Sequence, residues 1–75
     1  MRIETVNNRQ LVCEHIFPHN ELKVGQLWSP ADGSNKVHKI VDISEDYVFH
    51  IDIETNIQYR KDAFGFQCRY CMIME

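Results

Sequence analysis

The most regular run in the chain is "YVFHIDI", residues 47–53, where apolar and polar positions alternate. Tyr47, Phe49, Ile51 and Ile53 fall on one side, and Val48, His50 and Asp52 on the other. A period of two marks a half-buried strand, so the first set is expected to face inward and the second outward. Upstream, "KVHKIVDI" (36–43) places Val37, Val41 and Ile43 on one face, with His38, Ile40 and Asp42 opposite. The short reversal "SED" joins these two runs into a hairpin. "VGQLWS" (24–29) reads as an earlier strand, followed by the loop "PADGSN" (30–35). After the turn "ETN", "IQYR" (57–60) is a further strand. "KDAFGF" (61–66) reads as one helical or 3₁₀ turn that carries Phe64 and Phe66 to the core. "QCRYCMI" (67–73) closes the chain as a last strand.

The first 22 residues lack a single period. "NNRQLVCEHI" admits a short helix capped by Asn7 or Asn8, with Leu11, Val12 and Ile16 on one face. The alternation in "LVCEHIF" admits a strand equally well. Pro18 ends either element, and "PHNE" is turn chemistry. The expected fold is therefore mainly β, a small five-stranded antiparallel barrel of SH3-like type, partly open, after an N-terminal helix or strand. It forms a single domain over 1–75, with 1–22 as the N-terminal segment and 23–75 as the barrel. Such meanders keep a free edge. The terminal "CRYCMI", apolar on both faces, is the expected edge and would allow a homodimer.

The run "KVGQLW…KIVDI…YVFHI…F…RY" resembles small SH3-like barrel proteins of phages and other mobile elements. The resemblance covers residues 23–71: a Gly-x-x-Trp strand, a central hairpin and an aromatic closing turn. It implies a fold and a phage-type origin, and no activity.

Composition narrows the function classes. At 75 residues the chain is close to the lower size limit for a self-sufficient core. Eight basic and eleven acidic residues give a net charge of −3, which offers no broad attraction for nucleic acid. No apolar run approaches the ~20 residues of a membrane-spanning helix. "MRIETVNNRQ" lacks the apolar centre of a signal peptide, and three cysteines suit a reducing compartment. A cytoplasmic location without a membrane partner is expected.

Candidate chemistry is sparse. "CRYC" (68–71) has the spacing of half a zinc site, and "CEHIFPH" offers Cys13 with His15 or His19 for the other half. Residues three apart on a flat strand point to opposite faces, so Cys68 and Cys71 converge only if the backbone turns between them. The expectation is packing, with no metal and no cofactor; a zinc-stabilised structural module is the second alternative. Redox work of the thioredoxin kind would need a helix beginning at the first cysteine. His38, Asp42, His50 and Asp52 read as a solvated strand face, because no third group completes a catalytic set. The chain is not expected to be an enzyme.

Charge patterning carries the functional expectation. Between Ile40 and Arg60 there is no lysine or arginine, yet Asp42, Glu45, Asp46, Asp52 and Glu54 are present. An acidic hairpin would steer a basic protein surface toward it and repel phosphates. These five carboxylates, with Trp28 at a strand end, are the expected partner-binding residues of a protein–protein interaction module that modulates a host or phage protein. The alternative is a small nucleic-acid-binding barrel using Trp28, Lys36, Lys39, Arg60 and Arg69, with Lys61 and Tyr59 nearby.

Overall fold

The computed structural model describes residues 1–74. The chain is mainly β. Strands β1 (Arg2–Val6), β2 (Arg9–Cys13), β3 (Leu27–Pro30), β4 (His38–Ile43), β5 (Tyr47–Asp52), β6 (Gln58–Asp62) and β7 (Tyr70–Met74) form one antiparallel sheet. Helix α1 (Ala63–Arg69) links β6 to β7, and a 3₁₀ turn spans His19–Glu21. The spatial order is β1-β2-β7-β3-β4-β5-β6, so β1 and β6 are the two edges and the sheet does not close. This differs from the expected barrel in number, seven strands rather than five, and in closure. Among the described residues no helix is long and apolar enough to cross a membrane.

Both extra features come from the chain ends. The N-terminal segment is a hairpin, and its signal is Asn7-Asn8. Both have positive φ, 51° and 65°, and they connect Val6 and Arg9, which pair directly. Asparagine tolerates that left-handed backbone, which the two-residue turns of twisted hairpins require. The two asparagines therefore make a turn and do not cap a helix. The last strand is not an edge. β7 lies between β2 and β3, pairing Val12 with Met72 on one side and Trp28 with Met72 on the other. The homodimer expected through that edge loses its basis, because β7 is paired on both sides within the chain. Met72 packs on one side of the sheet, while Cys71 and Ile73 pack on the other with Leu11, Cys13 and Val6.

Helix α1 decides which face of β5 is buried. The carboxylate of Asp62 accepts the Gly65 amide at 2.8 Å, which caps the helix. A Cβ at residue 65 would stand 2.8 Å from that carboxylate, so a larger residue there would make the Asp62 side chain shift. The helix runs two turns rather than one and sets Phe66 in the core, while Phe64 stays 63 % exposed, contrary to expectation. Phe66 contacts Trp28 edge-on, 5.0 Å between ring centres, and Leu22, Ile40 and Val48 complete the cluster.

The face of β5 under this helix is Val48, His50 and Asp52, all buried. The expected orientation of the central hairpin is thus reversed at β5 and in the first half of β4, where His38 and Ile40 are buried. A bulge explains the rest of β4. The register steps from Ile40↔His50 to Asp42↔Phe49, so Val41 is an additional residue. That single insertion lets both Ile40 and Ile43 reach the helix-side core, although three positions separate them.

Candidate interaction surface

Turning Val48 and His50 inward leaves Tyr47, Phe49 and Ile51 on the outer face of β5, with Ile53 just beyond the strand. Tyr47 is 40 % and Ile53 48 % exposed; Phe49 and Ile51 are half-buried among their neighbours. On one flank β4 sets Lys39 opposite Ile51 and Asp42 opposite Phe49. On the other, β6 sets Gln58 opposite Ile51, Arg60 opposite Phe49 and Asp62 opposite Tyr47. The Arg60 guanidinium lies 4.8 Å from the Tyr47 ring centre, a cation–π contact between neighbouring strands. The result is an apolar stripe with a charged border, ~20 Å long at ~3.3 Å per residue.

The sequence-predicted site residues divide. Asp42, Glu45, Asp46 and Glu54 are exposed. Among the described residues the ion pairs are Arg2–Glu4 and Arg2–Glu14, so none of these four carboxylates is spent internally. Asp42, Glu45 and Asp46 cluster at the β4–β5 turn, and Glu54 lies past the opposite end of β5. They bracket the stripe and do not form a continuous ribbon.

Asp52 and Trp28 are buried and offer no contact surface. The Asp52 carboxylate accepts the amides of Glu54 and Thr55 at 2.9 and 3.4 Å, fixing the β5–β6 turn. Those backbone donors hold its carboxyl below the usual aspartate range. Trp28 is 1 % exposed because it fills the centre of a small core, between Phe17 and Phe66.

Behind the stripe lies a buried polar cluster. His38 and His50 bring their Nδ1 atoms to 2.9 Å, with Tyr59 and Tyr70 about them. Burial, and then the adjacent His38, push the His50 imidazole down to about 4. Burial also lowers His38, opposed by Asp52 and aided by Lys36. Two neutral imidazoles share one proton across that contact, one donating and the other accepting. This pairs two polar side chains inside the fold, and both histidines are buried.

Comparison with protein-family models, with curated proteins and with solved structures finds no match for this chain. Its function has to be argued from its own surface.

The other predicted groupings are not assembled. Among the described residues no three histidine, cysteine, aspartate or glutamate side chains form a group able to hold a metal. Cys68 sits on α1 and Cys71 on β7, so the backbone does turn between them, yet Cys68 is exposed and Cys71 buried. The charge-plus-aromatic groove for nucleic acid loses Trp28 to the core. Lys39 and Arg60 border the stripe, whereas Arg69 lies beside Pro30, Ala31 and Tyr70.

Sequence reasoning placed Tyr47, Phe49 and Ile51 inside and so missed them as surface. The usable signal was elsewhere: Trp28 and Phe66 fill the core, leaving less room for two more rings from β5.

Proposed function

We propose that this chain is a non-enzymatic protein-interaction module whose contact surface is the outer face of β4–β5–β6. Tyr47, Phe49, Ile51 and Ile53 form its apolar centre. Asp42, Glu45 and Asp46 mark one end and Glu54 the other. The partner is a protein with an apolar patch flanked by basic residues. The observation that carries this reading is the outward placement of the chain's cleanest apolar alternation. Apolar side chains aligned on an open sheet face are the usual material of an interface centre, and a charged rim supplies orientation and encounter rate.

The four exposed carboxylates support the basic character of the partner, since among the described residues no ion pair engages them. The test compares a protein captured by the native chain with its capture by three variants whose fold is verified by circular dichroism. Phe49→Ser should abolish capture, and the pair Glu45→Lys with Asp46→Lys should slow association and reduce its salt dependence. Thr5→Lys, on the distant edge strand β1, should change nothing. Capture that survives Phe49→Ser, or that fails in Thr5→Lys, removes the stripe as the contact surface.

A further inference from the structure

The hairpin β1–β2 joins the rest of the sheet through β7. At the end of that junction are two buried cysteines. The register Leu11↔Ile73, Val12↔Met72 continues to Cys13 and Cys71, whose Sγ atoms are 2.7 Å apart. Both side chains are free thiols.

The surroundings and the separation discriminate between the fates open to a thiol pair. Zinc would need further ligands around the two sulfurs, and among the described residues no such group is assembled. A disulfide needs Cα atoms ~4.4–6.8 Å apart, and residues directly opposite in an antiparallel pair lie at about 4.5–5.5 Å. The backbone is therefore already placed for a cross-strand bond.

A groove and a proton acceptor lie beside the buried pair. Cys13 and Cys71 line a groove of about 430 Å³ together with Cys68, His15, Phe64 and Tyr70. The Cys13 thiol donates to the Glu4 carboxylate at 3.7 Å. Burial and the contact with Cys13 push the Cys71 thiol up to about 12; the Glu4 carboxylate beside the Cys13 Sγ assigns the first attack to Cys13.

We propose that Cys13 and Cys71 are a redox site, oxidised to a cross-strand disulfide by a low-molecular-weight disulfide such as oxidised glutathione. Cys13 gives its proton to Glu4 and attacks one sulfur of the small disulfide, whose other half leaves as a thiolate. Cys71 then attacks the Cys13 Sγ, loses its proton and expels the second small thiolate. The two released protons end on the two small thiols. In total two protein thiols are oxidised to one disulfide and one small disulfide is reduced to two thiols. The bond would staple the N-terminal hairpin to the centre of the sheet across 58 positions of sequence. This site is independent of the β5 stripe.

The full-length chain is incubated with oxidised glutathione, trapped with acid and mapped by peptide mass spectrometry, before and after reductant. A Cys13–Cys71 link is expected, present also in Cys68→Ser. It should raise Tm by at least about 10 °C, a gain that reductant reverses. In Cys71→Ser the link should be replaced by a glutathione adduct on Cys13. Should that variant fail to fold, the map of the native chain still decides. A link through Cys68, glutathione on Cys68 alone, no reaction, or a mapped link without a rise in Tm would each overturn the proposal.

Discussion

The two faces of β5 reverse the simple rule that the more apolar side goes inside. The buried side carries Val48, His50 and Asp52, two of them polar; the outer side carries Tyr47, Phe49 and Ile51. Hydrophobicity ranks the faces one way, and cover ranks them the other. Helix α1 brings Phe66 over one face, where Trp28 is already seated, and burial follows that cover. The polar residues on that face are tolerated because each has a partner: His50 has His38, and Asp52 has two turn amides. The outer face keeps apolar area that folding leaves unused and that a partner can remove from water.

The contrast can be broken most severely at Ile40, which is fully buried beneath the helix. Ile40→Ala should cost about 2–5 kcal/mol in urea unfolding. A cost below about 1 kcal/mol would mean that the helix side is not the core.

Weakening the cover is the next test. The buried Gln67 on α1 accepts the Phe17 amide at 2.7 Å and donates to the Phe17 carbonyl at 3.2 Å, pinning the segment after β2 to the helix. Gln67→Ala strands both backbone groups and should cost about 1–3 kcal/mol, with Gln67→Glu intermediate because it keeps only the acceptor.

Acid sharpens the comparison through the histidines. With its folded-state affinity for protons depressed to about 4, His50 stays neutral in the fold while the unfolded chain protonates near 6.5. The unfolded state then binds more protons, so stability is unaffected above about pH 6.5 and declines as pH falls toward 4. His38, lowered by the same burial, adds in the same direction. Asp52 contributes in a separate window, losing its stabilisation only below 3.8 as its depressed carboxyl is protonated. Tm should drop by several degrees between pH 7 and 4.5, and His50→Gln should flatten that slope. An unchanged slope in His50→Gln would place the titration elsewhere.

The smallest effect on stability belongs to the outer face. Ile51→Ala should stay within about 0.5–1 kcal/mol of the native chain while weakening partner capture. A larger loss would mean that Ile51 is covered by the protein itself.

Much of the fold was legible. The alternation of 36–43 and 47–53, with "SED" between, specified the central hairpin, and "KDAFGF" was readable as a helical turn, though shorter than the helix that forms. Other features were hidden for physical reasons. A period of two shows that a strand has two faces without showing which is covered; that depends on a helix a turn and a five-residue strand further along the chain. The Val41 bulge displaces the alternation of β4 by one residue and leaves no mark in composition. Asn7-Asn8 was ambiguous because asparagine serves both helix caps and left-handed turns. The double-sided apolar character of "CMIM" was visible, but a central strand and an edge strand share it. Of the site, the exposed carboxylates were readable from charge spacing; the apolar stripe was found on the side assigned to the core.

The most direct test of which face is covered is the proton–proton nuclear Overhauser pattern of the Phe66 and Trp28 rings in solution. The account predicts cross-peaks from these rings to the methyl groups of Ile40 and Val48 and, from Phe66, to the His50 ring. Cross-peaks from them to Phe49 and Ile51 instead would contradict it.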